Sequence, residues 1–245
     1  MNISRRRALG LIAASATVPL AASCGETPKE RVPVTLMLDW VPNTNHTGIY
    51  VARDFGFYTD NGLDVTIVEP GTAGAAAAVA SGAAHFGVSY QEEVTLARVQ
   101  DVPLVSVAAI IQHNTSSLIA LAEEGISRPR DLEGKTYGGW GGALERALIS
   151  KLVECDGGNP DKVTFAEVGN VDFLVGMEEN HYDFVWIFDG WDGVRYTQVL
   201  NKQISFIPFI AYTDCIPDWY TPVLITNETL IADDPELVEA FVQAT

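Results

Sequence analysis

The chain has 245 residues, with 32 acidic against 15 basic side chains and a formal net charge of −17. That balance repels polyanions and argues against nucleic acid and anionic membrane surfaces as partners, without by itself specifying a cationic ligand. Three cysteines are too few for a dense disulfide framework or a cysteine zinc site. Cys155 and Cys215 are read as two separate buried thiols, although an oxidising compartment would permit a bridge.

Residues 1–23 read as an export signal rather than as part of the fold. Arg5, Arg6 and Arg7 form a charged start, and an apolar run over 8–22 follows, interrupted by Ser15, Thr17 and Pro19. It falls short of the roughly 20 apolar residues a spanning helix needs. The order Ser4-Arg5-Arg6-Arg7-Ala8-Leu9 resembles a twin-arginine export motif, and Ala21-Ala22-Ser23-Cys24 resembles a lipoprotein cleavage box. Cys24 would then carry the acyl chains that anchor the mature chain, with residues 24–32 as a polar tether.

Beyond the tether, short apolar runs alternate with helical periods, the pattern of an α/β domain with a mainly parallel sheet. Strands are expected over 34–38, 63–69, 84–89 and 102–111, with helices over 46–61, 71–81 and 91–99. A further apolar run at 118–122 and the segment Arg130-Asp131-Leu132-Glu133-Gly134-Lys135 open a second unit of the same grammar. The glycine-rich turn Gly138-Gly139-Trp140-Gly141-Gly142 leads into a helix over 143–154, and strands are expected at 163–167, 184–188 and 204–210. A strand at 223–226 returns the chain to the first unit, and an amphipathic helix over 235–244 carries Leu237, Ala240 and Phe241 on one side. The expected division is one lobe from 33–117 with 219–245 and a second from 118–218, in a chain whose C-terminus reads as cut short.

Polar and aromatic residues gather where strands end and helices begin, the place where open α/β sheets bind ligands. Trp40 and Trp140 stand beside turn residues and outside any periodic apolar face, so they are candidate stacking rings; Tyr90, Trp186, Trp191 and Tyr220 are further candidates whose alternative is core packing. Glu92 opens a helix, where the dipole favours its ionised form and it could accept hydrogen bonds. Glu145 is similarly placed, with capping as its other role. Gly138, Gly139, Gly141 and Gly142 could offer backbone N–H groups or simply relieve a tight turn. The glycines lack a P-loop lysine and dinucleotide spacing, so nucleotide hydrolysis is not indicated.

Leu38-Asp39-Trp40-Val41-Pro42-Asn43 with His46 and Gly48, Ser89-Tyr90-Gln91-Glu92, Tyr137-Gly138-Gly139-Trp140-Gly141, Trp186 with Gly190-Trp191, and Tyr220-Thr221-Pro222-Val223 with Asn227-Glu228 follow one another along the chain. In that order and spacing they resemble the thiamine-precursor branch of substrate-binding proteins, which joins formylaminopyrimidine-binding proteins to thiamine pyrimidine synthases. The resemblance covers essentially everything from Val32 onward. It implies a two-lobe type II periplasmic binding protein fold, and a cleft holding a thiamine-related pyrimidine through Asp39, Trp40, Asn43, His46, Tyr90, Glu92, Trp140, Gly141, Glu145, Trp186, Trp191 and Tyr220. It also implies a lipid-anchored monomer outside the cytoplasm that delivers cargo to an ABC permease, with no cofactor and no metal. A flavin or another flat heterocycle is the alternative cargo. A synthase reading, in which His46 is consumed with a pyridoxal cofactor, is opposed by the export signal and by the lack of a cysteine-rich iron-binding segment. A truncated chain holding only part of a lobe is a third possibility.

Overall fold

The computed structural model describes residues 30–245 apart from 170. The expected signal 1–23, the lipidation residue Cys24 and most of the tether 24–32 lie outside the described residues. The first half runs β1 (Val32–Met37), α1 (Thr47–Asp54), α2 (Phe57–Asp60), β2 (Leu63–Val68), α3 (Gly74–Ala80), β3 (Phe86–Ser89), α4 (Gln91–Val99) and β4 (Leu104–Ala109). The second runs β5 (Ser116–Leu121), β6 (Thr136–Gly139), α5 (Ala143–Cys155), β7 (Thr164–Glu167), α6 (Phe173–Glu178), β8 (Phe184–Phe188) and β9 (Ile204–Pro208). The chain closes with β10 (Val223–Asn227), α7 (Glu228–Asp233) and α8 (Pro235–Ala244).

These strands form two five-stranded sheets, ordered β2-β1-β3-β10-β4 and β7-β6-β8-β5-β9. Each has three adjacent parallel strands and one antiparallel strand inserted inside an edge strand, β10 in the first and β5 in the second. The inserted strand thus reaches lobe 1 only after the chain has built lobe 2. Central strands β3 and β10 are buried along their whole length, which is why they read as continuous apolar runs rather than alternating ones.

The expected single helix over 46–61 is instead a 3₁₀ turn at Thr44–His46 followed by α1 and α2. Gly56, at φ +83°, takes a left-handed conformation that ends α1 and restarts the chain at an angle. At the other end of lobe 1, the Asp234 side chain accepts from the Leu237 N–H and Pro235 occupies the first turn, so α8 starts with a capped N-terminus. Its Phe241 is fully buried, stacked between Phe86 at 3.8 Å and Tyr58 at 5.6 Å between ring centroids. Burying each such side chain contributes about 1.5–3 kcal/mol.

Cys155, the last residue of α5, is bonded to Cys215 with 5.8 Å between Cα atoms, which corrects the expectation of two separate thiols. The return segment lays Cys215 on the core of lobe 2, beside the end of α5. Two segments, 110–115 and 209–222, connect the lobes. Asp218 ties them together: Oδ1 accepts from the Asn114 N–H at 2.9 Å and Oδ2 lies 2.7 Å from His113 Nδ1. Ile110 N–H donates to Pro222 O at 3.1 Å on the lobe 1 side.

Candidate ligand-binding cleft

The wall of lobe 1 is built where β1 and β3 end. The two strands are parallel neighbours, Leu36 opposite Phe86 and Met37 opposite Gly87, so the residues following them emerge side by side. Asp39 Oδ2 accepts from the Tyr90 hydroxyl at 2.7 Å, and Oδ1 lies 2.6 Å from His46 Nε2. The Asn43 N–H donates to His46 Nδ1 at 3.2 Å, which leaves the ring proton on Nε2, where it is donated to Asp39. His46 is 0% exposed. Expected from the sequence to contact ligand, it lies beneath the cleft as a support, with both ring nitrogens engaged. The Asn43 side chain accepts from the Asn45 N–H at 2.9 Å and caps the same turn. Burial, reinforced by the Asp39 carboxylate, pushes the Tyr90 phenol well above its ordinary range.

Glu92 sits in the first turn of α4. Burial raises its pKa, eased by a backbone N–H and by the indole of Trp219. Its neighbour Glu93 takes the Ser89 hydroxyl.

The wall of lobe 2 begins with the glycine turn after β6. Glu145 Oε1 accepts from the Tyr137 hydroxyl at 2.7 Å and the Trp140 N–H at 3.0 Å, and Oε2 accepts from the Gly142 N–H at 2.7 Å. Its carboxylate is spent on the shape of the turn. Gly141 has φ +79°, and a Cβ there would come within 2.9 Å of the Glu167 carboxyl, so the turn admits only glycine without rearrangement. Trp140 projects from this turn, 48% exposed. At the end of β8 come Phe188, Asp189 and a π-helical turn, Asp189–Gly193, which carries the half-buried Trp191. Such turns recur at functional sites because the extra residue re-aims side chains. Burial also raises the Asp189 pKa, offset in part by the Ser117 hydroxyl.

Three pairs meet across the cleft. Trp40 and Trp140 stand edge to face, with centroids 5.8 Å apart and planes at 85°. Tyr90 and Phe188 lie nearly parallel, with centroids 6.3 Å apart and planes at 15°. The Thr44 hydroxyl donates to the Gly190 carbonyl at 2.9 Å. Trp186, by contrast, packs edge-on against Phe209 at 4.9 Å and Trp219 at 6.3 Å in the core of lobe 2. Tyr220 is half-exposed, its N–H donating to Gln91 Oε1 at 2.8 Å. A cavity of about 360 Å³ lies apart from these rings, in lobe 1 between α1, β4 and α8; nothing aromatic lines it.

A family model described as NMT1/THI5 like matches residues 43–245. The chain belongs to the NMT1/THI5-like family. Among its relatives, the formylaminopyrimidine-binding protein of Halalkalibacterium halodurans is 34% identical over 222 residues, covering 86% of this chain and 63% of that protein. The 4-amino-5-hydroxymethyl-2-methylpyrimidine phosphate synthase of Legionella pneumophila is 30% identical over 214 residues, covering 86% and 66%. The chain thus spans about two thirds of the length of these relatives. The periplasmic aliphatic sulphonate binding protein of Escherichia coli matches with a TM-score of 0.64 at 12% identity, covering 89% of this chain and 69% of that one. A ligand-binding component of an ABC-type import system from Staphylococcus aureus matches with a TM-score of 0.66 at 14% identity, covering 87% and 72%. The family resemblance drawn from the motifs and the two-lobe type II periplasmic binding protein fold it implied both hold.

The junction of the lobes has a polar floor. Among the described residues, the buried side-chain atoms without a well-formed hydrogen bond are Glu92 Oε2, Asn114 Nδ2, Ser116 Oγ, Ser117 Oγ, Asp189 Oδ1, Trp219 Nε1 and Thr221 Oγ1, of which Trp219 Nε1 lies near Glu92 and Ser117 Oγ near Asp189 at looser geometry. They lie at the start of β5, just after β8, in the first turn of α4 and in the crossing segments. Leaving a buried polar group unpaired costs about 1–3 kcal/mol, so these atoms keep capacity for a polar partner. Sequence reading missed Phe188, Asp189 and Thr44. Phe188 ends an unbroken apolar run with no alternation to single it out; for Asp189 and Thr44 the available signal was position alone, at a strand end and in a turn.

Proposed function

We propose that this protein is the extracytoplasmic solute-binding component of an ABC importer, and that it captures a thiamine-precursor pyrimidine of the formylaminopyrimidine kind in the cleft between its lobes. The observation that carries this reading is the meeting of aromatic rings from both lobes beside buried, unpartnered carboxyl oxygens. A flat ring with amino substituents needs those two things: apolar faces to stack on and acceptors at its edge. The similarity to a formylaminopyrimidine-binding protein supports the choice of cargo. Asp39, Trp40, Tyr90, Glu92, Trp140, Gly141 and Trp191 are the proposed surroundings of the ligand; Asn43, His46 and Glu145 act through the turns they hold. A synthase role would spend His46, whose complete burial and two engaged nitrogens speak against it, so no bond is made or broken here. The proposed anchor is Cys24, and the proposed recipient of the cargo is a membrane permease.

Native mass spectrometry of the purified protein, followed by calorimetric titration with formylaminopyrimidine and with riboflavin, tests the reading. The expected outcome is a co-purified pyrimidine mass and heat with formylaminopyrimidine alone. A response to riboflavin only would replace the cargo.

A further inference from the structure

The motifs draw attention to the tryptophans, yet Trp40 and Trp140 cannot sandwich a ring in the arrangement they adopt. Their planes stand at 85°, so whenever one offers its face to a flat ligand the other offers its edge. Tyr90 and Phe188 come from opposite lobes and lie within 15° of parallel. Holding a flat ring between two others takes about 7 Å between the outer planes, two stacking distances of about 3.5 Å. The planes of Tyr90 and Phe188 are no farther apart than their centroids, 6.3 Å, so the lobes must open to admit a flat ring between them.

The surroundings of this pair agree. Tyr90 is held in place through its hydroxyl, which donates to Asp39, itself braced by the fully buried His46. Phe188 lies opposite Ser116 in the β5–β8 ladder and directly precedes Asp189. Ser116 Oγ is buried, 1% exposed, and lacks a partner, as do Asp189 Oδ1 and, two residues beyond Tyr90, Glu92 Oε2. The parallel pair is therefore flanked from both lobes by polar atoms that a ligand's edge could satisfy.

We infer that Tyr90 and Phe188 form the stacking slot for the cargo ring and that Phe188 is a specificity-determining residue, while the Trp40–Trp140 contact closes the mouth of the cleft over it. This rests on the proposed function. In the slot, Phe188 contributes an aromatic face that an aliphatic side chain of similar size lacks.

Titration with formylaminopyrimidine of the wild type and of Phe188→Leu, Phe188→Tyr and Trp140→Ala tests it, with thermal midpoints recorded for each. Phe188→Leu should bind roughly ten- to hundred-fold more weakly and lose the drop in ligand absorbance that accompanies stacking, Phe188→Tyr should restore both, and Trp140→Ala should lose less than Phe188→Leu. Wild-type binding with Phe188→Leu unchanged, or with Trp140→Ala the weaker of the two, overturns the slot and leaves the function standing. A wild type that does not bind formylaminopyrimidine overturns the proposed function and the slot with it. Should Phe188→Leu not fold, intermolecular nuclear Overhauser effects on the wild type decide: cross-peaks from the ligand to the Phe188 and Tyr90 rings sustain the slot, and cross-peaks to the indoles alone overturn it.

Discussion

Each lobe places a glutamate in the first turn of a helix that follows a strand ending at the cleft, Glu92 on α4 and Glu145 on α5, and the two are used in opposite ways. Glu145 has both oxygens occupied by the Tyr137 hydroxyl and two backbone N–H groups. Glu92 is half-buried, and its Oε2, itself out of solvent, lacks a well-formed hydrogen bond. A carboxylate whose accepting capacity is consumed by its own chain is scaffold; one left with capacity to spare in a buried place faces something that arrives later. Position on the helix does not separate the two roles, but counting hydrogen bonds does.

The contrast can be pressed at three strengths. The largest effect should come from lobe 2, where the bond between Cys155 and Cys215, 60 residues apart in sequence, fastens the helix of Glu145 to the return segment. Replacing both cysteines by serine should lower unfolding free energy by about 4 kcal/mol on the chain-entropy estimate, read as a shift in the urea midpoint. An unchanged midpoint would mean that lobe 2 holds together without the staple. Next, Glu145→Ala strips the acceptor from a buried hydroxyl and two amides and should cost roughly 2–4 kcal/mol of stability. If that variant instead kept its stability and lost only affinity, the assignment of Glu145 to the scaffold would be wrong.

The smallest and most diagnostic change is Glu92→Gln. Affinity for an aminopyrimidine should fall by about 1–3 kcal/mol, because an amide can present a donor where the ligand needs an acceptor, while the unliganded protein should be no less stable. The pH dependence adds a sign. Burial raises the Glu92 pKa in the folded state, so the folded chain holds a proton there more readily than the unfolded one. That term favours folding at pH values below the ordinary glutamate range and turns against folding as pH rises through the raised value. The stability of Glu92→Gln relative to wild type should therefore climb as pH rises from the ordinary glutamate range through the raised value. A difference that stays flat across this range would show that Glu92 is solvated and not part of the polar floor.

How much of this could be read beforehand follows from what each residue's environment demands. Strand β6 was not legible, because its Gly138 and Gly139 read as part of the glycine turn that follows, but most strands of the two sheets were legible as uniform apolar runs, as in Phe184–Phe188. The same uniformity hid Phe188, since a run buried throughout does not say which end opens onto a cleft. His46 was noticed for its neighbours Asp39 and Trp40, but whether an imidazole faces ligand or carboxylate depends on a backbone turn that only coordinates display. The disulfide was illegible for a related reason. Two cysteines so far apart in sequence meet only because the return segment docks on α5, a long-range event without a local signature.

The strand inserted into the first sheet has a bearing on how the molecule comes together. Lobe 2 draws its sheet from one continuous stretch, β5 to β9, and can close as soon as that stretch exists. Lobe 1 cannot, because β10 lies between β3 and β4, pairing Val223 with Ser89 on one side and Ala109 on the other. Until residues 223–227 arrive, β3 and β4 face each other across a gap, with unpaired backbone edges and no direct ladder between them. Pairing over such sequence distances is slow to form. The first sheet can therefore be completed only once the last strand of the chain is available, with β10 as keystone, and a cleft with both walls in place requires that strand.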